Sequence, residues 1–147
     1  KGDPGDACET LRLKQYWKVL VMKFGMNHIH LKAEDAHATA SWYVDNFGAT
    51  IIEEVNNNGV TTVRTEIGGV RINITEPPPE GLPDGTSSTH MGLEHFGLGT
   101  DDIEAAMEAL KQNGVSVLEP IRTLPSGLRI AFVEAPNNVR LELVESS

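Results

Sequence analysis

The chain carries one cysteine, Cys8, among 147 residues. An internal disulfide framework is excluded, and a reducing compartment fits best. Cationic residues are also few: 12 Lys and Arg stand against 21 Asp and Glu, a net charge of −9. That balance argues against nucleic acid and against an anionic membrane surface as partners. Long apolar runs are missing as well. Val19-Leu20-Val21-Met22 sits between lysines; it is too short for a secretory signal and far short of a membrane span. The expectation is a cytoplasmic protein that meets a small molecule. Its length suits one ordinary domain, large enough to bury a core without staples.

What the chain does have is an internal echo. Residues 1–25 stand apart as a leader, Gly/Asp/Pro-rich over Lys1–Thr10 and expected to be partly disordered. Leu11–Phe24 fits either a short helix or an added strand, and Met26 fits an alternative start. Residues 26–147 read as a single domain of two modules, 27–76 and 93–145, joined by the Pro/Gly/Ser/Thr-rich linker 77–92. In the first module a strand over Asn27–Lys32 precedes a helix over Ala36–Phe47, capped by Asp35 and stopped by Gly48. Strands follow at Thr50–Val55, Val60–Ile67 and Val70–Thr75, with Asn57-Asn58-Gly59 and Gly68-Gly69 as turns. The second module opens with a strand around Glu94–Leu98. Asp101 or Asp102 then caps a helix over Ile103–Gln112, and strands follow at Ser116–Glu119, Leu128–Val133 and Val139–Val144. Strand, helix and three strands, twice over, predict an α+β fold of paired βαβββ modules with a curved, mainly antiparallel sheet around a central cleft.

The echo extends to chemistry. His28 and Asn73 are 45 positions apart, and His95 and Glu142 are 47 apart. Side chains in a strand alternate between faces. Leu141 and Leu143 therefore oppose Arg140 and Glu142. Ile72 and Ile74 oppose Arg71 and Asn73, and Ile29 and Leu31 oppose His28 and His30. Each strand has one face for a helix and one polar face for something else. Partly desolvated charges in a cleft need a partner or a cation. His28, His95 and Glu142 are suitable ligands for a divalent ion such as Zn, Ni, Fe, Mn or Co. His30, Asn73, Arg71 and Arg140 share their faces and are candidate pocket residues, although cross-strand pairing with Glu also explains the two arginines. His37, at a helix start, and His90, in the linker, read as surface residues.

Asn27-His28-Ile29-His30-Leu31 resembles the first-strand motif of the vicinal oxygen chelate superfamily. Residues 94–115 resemble that family's second repeat. Ala131–Pro136 and Val139–Glu145 resemble the closing hairpin of bacterial glyoxalase I. The family includes glyoxalase I, extradiol dioxygenases, methylmalonyl-CoA epimerase, and fosfomycin and bleomycin resistance proteins. By position, the resemblance implies His28, His95 and Glu142 as metal ligands and Asn73 at the fourth ligand position. Glyoxalase I has Glu there and the epimerase has Gln. The loop before the last strand, Ala135-Pro136-Asn137-Asn138, departs from the family's Asp-Pro-Asp/Asn-Gly, but Asn138 can adopt the left-handed turn conformation.

Three functions follow from the resemblance. In the first, a metal-dependent lyase or isomerase of the glyoxalase type moves a proton beside a carbonyl, with Glu142 as ligand or general base. In the second, two His and a carboxylate form the facial triad of a non-haem Fe(II) extradiol-type dioxygenase. In the third, the cleft sequesters a drug without catalysis. Relatives that pair modules across two chains imply a homodimer.

Overall fold

Side-chain caps set the helix starts. The computed structural model describes residues 25–145; the expectations for residues 1–24, Cys8 among them, lie outside that range. The first module runs β1 (His28–Lys32), α1 (Ala36–Phe47), β2 (Thr50–Asn57), β3 (Val60–Ile67) and β4 (Val70–Thr75). Asp35 Oδ1 accepts from the Ala38 N–H at 2.8 Å, closing the N-terminus of α1. Gly48, at φ 64°, closes the other end by donating its N–H to Val44 O. The second module runs β5 (Phe96–Thr100), α2 (Ile103–Gln112), β6 (Ser116–Thr123), β7 (Arg129–Ala135) and β8 (Val139–Glu145). Of the two candidate caps on α2, Asp102 takes the role, accepting from Ala105 N–H at 2.9 Å.

Several strand boundaries differ from the sequence expectation, three of them for a visible physical reason. β2 runs on to Asn57 because Asn58 and Gly59 both take positive φ, so a tight turn keeps the strands paired to its edge. β6 runs on through Pro120 to Thr123, with two register irregularities absorbing the residue that cannot donate to the ladder. β5 starts at Phe96 rather than Glu94. The Leu93 carbonyl is taken by His90 Nε2 at 3.1 Å, and the chain joins the ladder only afterwards.

Each module forms its own four-stranded sheet, β1-β4-β3-β2 and β5-β8-β7-β6. The α+β fold of paired βαβββ modules is as expected. Among the described residues, however, the strands form two sheets and not one continuous curved sheet. The edge pairs β1/β4 and β5/β8 are parallel, and the remaining pairs are antiparallel. The ladders fix the repeat. His30 lies beside Asn73 as Gly97 lies beside Glu142, and His28 lies beside Arg71. The same step back along β5 puts His95 level with Arg140.

The apolar faces do what alternation requires. Ile72, Ile74 and Val63 in one sheet and Ala131, Val133, Leu141 and Leu143 in the other are at most 3% exposed. Ala36, Ala40 and Tyr43 of α1 and Ile103, Met107 and Leu110 of α2 cover them, and the buried residues of both modules belong to one cluster. The helices approach each other where Asn113 Nδ2 donates to Asn46 Oδ1 at 3.0 Å. No described helix is long and apolar enough to cross a membrane.

This division of faces predicts unequal costs for neighbours in β8. Leu141→Ala should lose roughly 2–5 kcal/mol of stability, as a large side chain leaves a packed core. Glu142→Ala should lose no more than about 1 kcal/mol. Denaturant unfolding measures both; similar losses at the two positions would contradict the assigned faces.

Candidate functional site

In the second module the polar faces of β5 and β8 meet beside the chain entering β5. His95 Nε2 lies 3.4 Å from Glu142 Oε2, with the two side chains 33% and 19% exposed. The other ring nitrogen, Nδ1, donates to the carboxylate of Glu94. An ionised carboxylate only accepts, so Nδ1 carries a proton, and Nε2 is the ring nitrogen that faces Glu142. Gly97 lies opposite Glu142 in the ladder. A Cβ at Gly97 would sit 3.3 Å from Glu142 Oε2, so the glycine makes room for that carboxylate. The His95 ring stands edge-on to Phe132, with centroids 5.2 Å apart.

Arg140 backs this arrangement. It is 7% exposed, its guanidinium lies 4.1 Å over the Phe132 ring, and it pairs with Glu119 and Glu94. Its Nε is 3.1 Å from Glu94 Oε1, a charge contact without hydrogen-bond geometry. Nη1 donates to Ser87 O at 3.1 Å, tying the linker to β8. The hydrogen bond from His95 holds the Glu94 carboxyl below its ordinary range, and the charge of Arg140 adds to this against the opposing effect of burial. Of the two accounts for Arg140, pairing with Glu describes its contacts, although its partners lie on β6 and before β5.

The first module repeats the plan with different substituents. His28 Nδ1 donates to Asn27 Oδ1 at 2.8 Å, leaving its Nε2 open. Asn73, the counterpart of Glu142, lies between His30 and Arg64 in the ladders. Its Oδ1 is buried, and no donor among the described residues reaches it. His30 is engaged differently: its Nε2 is 3.0 Å from Thr75 Oγ1, which is 2.9 Å from Thr62 Oγ1. Partial burial, then Lys32 and His28, holds His30 below the ordinary imidazole value. Arg71 is exposed, between His28 and Glu66 in the ladders. His37 pairs with Glu54 on the surface, and His90 caps linker carbonyls.

The structure therefore gathers His95, Glu142 and Arg140 in one half and His28, His30, Asn73 and Arg71 in the other. It does not converge the two halves. Among the described residues no three His, Cys, Asp or Glu side chains are close enough to hold a metal ion. A small cavity of about 200 Å³ adjoins His95, Glu94 and Arg140. A larger one, about 620 Å³, lies between the end of β1 and the start of β8 and touches none of the seven candidates. The donors present fit a divalent ion in halves: an imidazole Nε2 and a carboxylate with room around it in one, an imidazole Nε2 and an orphaned amide oxygen in the other. Sequence reasoning missed Asn27, Glu94, Gly97, Glu119 and Phe132. A signal existed for the first two, since an oxygen-bearing side chain immediately precedes each histidine in both repeats.

The family model for the Glyoxalase/Bleomycin resistance protein/Dioxygenase superfamily matches residues 25–143, and the chain belongs to that superfamily. The mitochondrial methylmalonyl-CoA epimerase of Dictyostelium discoideum is 27% identical over 128 residues, covering 82% of this chain and 77% of the epimerase. Glyoxalase I from Zea mays superposes with a TM-score of 0.69 at 21% identity, over 83% of this chain and 44% of the maize chain. The fosfomycin resistance protein FosX from Listeria monocytogenes, solved with Mn(II) and sulfate, gives a TM-score of 0.65 at 21% identity, over 86% and 95%. Structural likeness at these identities establishes the fold.

The matched arginines should behave unequally. Arg140→Met strands two carboxylates and should cost roughly 2–3 kcal/mol, below the roughly 3–5 kcal/mol of a fully buried pair because Glu119 reaches solvent. Arg71→Met should change stability by less than about 0.5 kcal/mol. Equal effects in thermal or denaturant unfolding would refute the difference between the halves.

Proposed function

We propose that this chain is a metal-dependent lyase or isomerase of the glyoxalase type, acting on a small oxygenated substrate such as a carbonyl compound or its thiol adduct. The observation that carries the reading is the orientation of the two histidines. His28 and His95 each have Nδ1 occupied; His28 Nε2 is open, and His95 Nε2 faces Glu142 at 3.4 Å. His28, His95 and Glu142 would hold Zn, Ni, Fe, Mn or Co, with the Asn73 Oδ1 as a weak fourth donor. A bound divalent ion would supply Lewis acidity that stabilises the enolate or enediolate left when a proton departs beside a carbonyl.

The protein's own part is proton transfer and orientation. Glu142 is the one carboxylate among the four matched positions, so it takes the proton and returns it. Asn73 is neutral and cannot act as a second base. Two-base epimerisation needs a base on either side of the carbon, so one-base isomerisation or elimination fits this chain better. Exposed Arg71 can meet an anionic part of the substrate. The neutral amide at Asn73 also suits a facial triad, which keeps an Fe(II) dioxygenase as the second reading. With one cysteine and this chemistry, the cytoplasm remains the proposed compartment.

We further propose a homodimer whose two sites each combine the first module of one chain with the second module of its partner. Large apolar side chains flank each histidine in the open: Met26 at 81% exposure and Leu93 at 80%. Exposed apolar surface beside half of a ligand set is a surface that a second copy would cover.

Two experiments test these readings. Protein purified without chelator should contain divalent metal by elemental analysis and lose it in His28→Ala/Glu142→Ala. Its turnover of thiol adducts of 1,2-dicarbonyls should persist without oxygen and with Zn, Ni or Co. Iron-dependent oxygen uptake with a catechol would instead establish the dioxygenase. For assembly, light scattering should give the dimer mass. Mixing inactive His28→Ala with inactive Glu142→Ala should restore about one quarter of the sites, since half the dimers are mixed and each has one intact site. No recovery after verified subunit exchange would place each site within one chain.

A further inference from the structure

Asn27 and Glu94 occupy the same place in the two repeats, and each side chain accepts the Nδ1–H of the histidine that follows it. Neither residue is required there by the ladder: β1 begins at His28, and β5 begins after His95. The contacts around them differ. Glu94 is an anion, half-buried, and braced by Arg140, which is itself held by Glu119 and Ser87 O. Asn27 is neutral and exposed.

We propose that Asn27 and Glu94 are a matched but unequal pair of positioning residues. Each fixes its histidine as the Nδ1–H tautomer, so that Nε2 is presented as a ligand, and Glu94 makes His95 the stronger anchor of the two. This rests on the metal-binding reading above for its consequence, but not for its geometry. A hydrogen bond from a ligating imidazole to a carboxylate fixes the ring and raises the basicity of the other nitrogen; an amide oxygen does the first and little of the second. The Arg140–Glu119 pair extends the support on the second side only. His28 is accordingly the ligand that detaches more readily, and His95 is the one that retains the ion.

The test begins with metal-free protein. Long-range ¹H–¹⁵N NMR above the imidazole titration range should show both His28 and His95 as Nδ1–H tautomers. Glu94→Ala should turn His95 largely to the Nε2–H form, and Glu94→Gln, which keeps an acceptor oxygen, should restore the original tautomer. Asn27→Ala should do the same to His28 alone; it alters an exposed side chain, so it remains informative should Glu94→Ala fail to fold. Affinity for zinc alone, by competition with a chromophoric chelator, should fall about 10–100-fold in Glu94→Ala. The fall should be several-fold in Glu94→Gln and smaller in Asn27→Ala, whereas Asn27→Asp should tighten binding. Unchanged tautomers in both alanine variants would overturn the proposal. A wild-type protein that binds no zinc would overturn the metal reading and with it the anchoring order, while the tautomers would still decide whether these two residues position the histidines.

Discussion

Leu141 and Leu143 are buried under α2, and that burial determines where Arg140 and Glu142 go. A strand cannot send adjacent side chains to the same side. A one-residue slip of β8 would turn both leucines out at roughly 1.5–3 kcal/mol each, and would turn the carboxylate into the core. The same constraint acts in β4, where Ile72 and Ile74 hold Asn73 on the opposite face. The parallel partner strands then set the depth of each histidine, because the ladder puts His28 beside Arg71 and carries His95 level with Arg140. The polar faces are thus placed by the apolar ones.

The two halves use the same frame for different ends. In the second module, Gly97 clears space for Glu142, and Arg140 is packed between Phe132 and two carboxylates. In the first, His30 replaces the glycine, Asn73 replaces the carboxylate, and Arg71 remains at the surface. One half is therefore braced by ion pairs, and the other is open.

Much of the fold was legible because its signals are local. Asp35, Gly48 and Asp102 mark the helix ends by hydrogen bonds within a few residues, and period-two alternation identified the core faces of β4 and β8. The late start of β5 was not legible, because it depends on His90 reaching the Leu93 carbonyl from the linker. Two separate sheets were not legible either, since alternation orders residues within a module and says nothing about how modules abut. Within each half, the sharing of a face by His28 with Asn73 and His95 with Glu142 could be read from the repeat. The burial of Arg140 could not, because Glu94, Glu119 and Phe132 come from three other segments.

The central claim is that one ion is held by groups from both modules, with His28 and His95 contributing Nε2. Anomalous diffraction from crystals grown with zinc or manganese tests it most directly. The account predicts one peak per site, bonded to His28 Nε2, His95 Nε2 and Glu142, with the two modules supplied by different chains. A peak bound instead at His37 or His90, or no peak beside His95 and Glu142 at saturating metal, would contradict it.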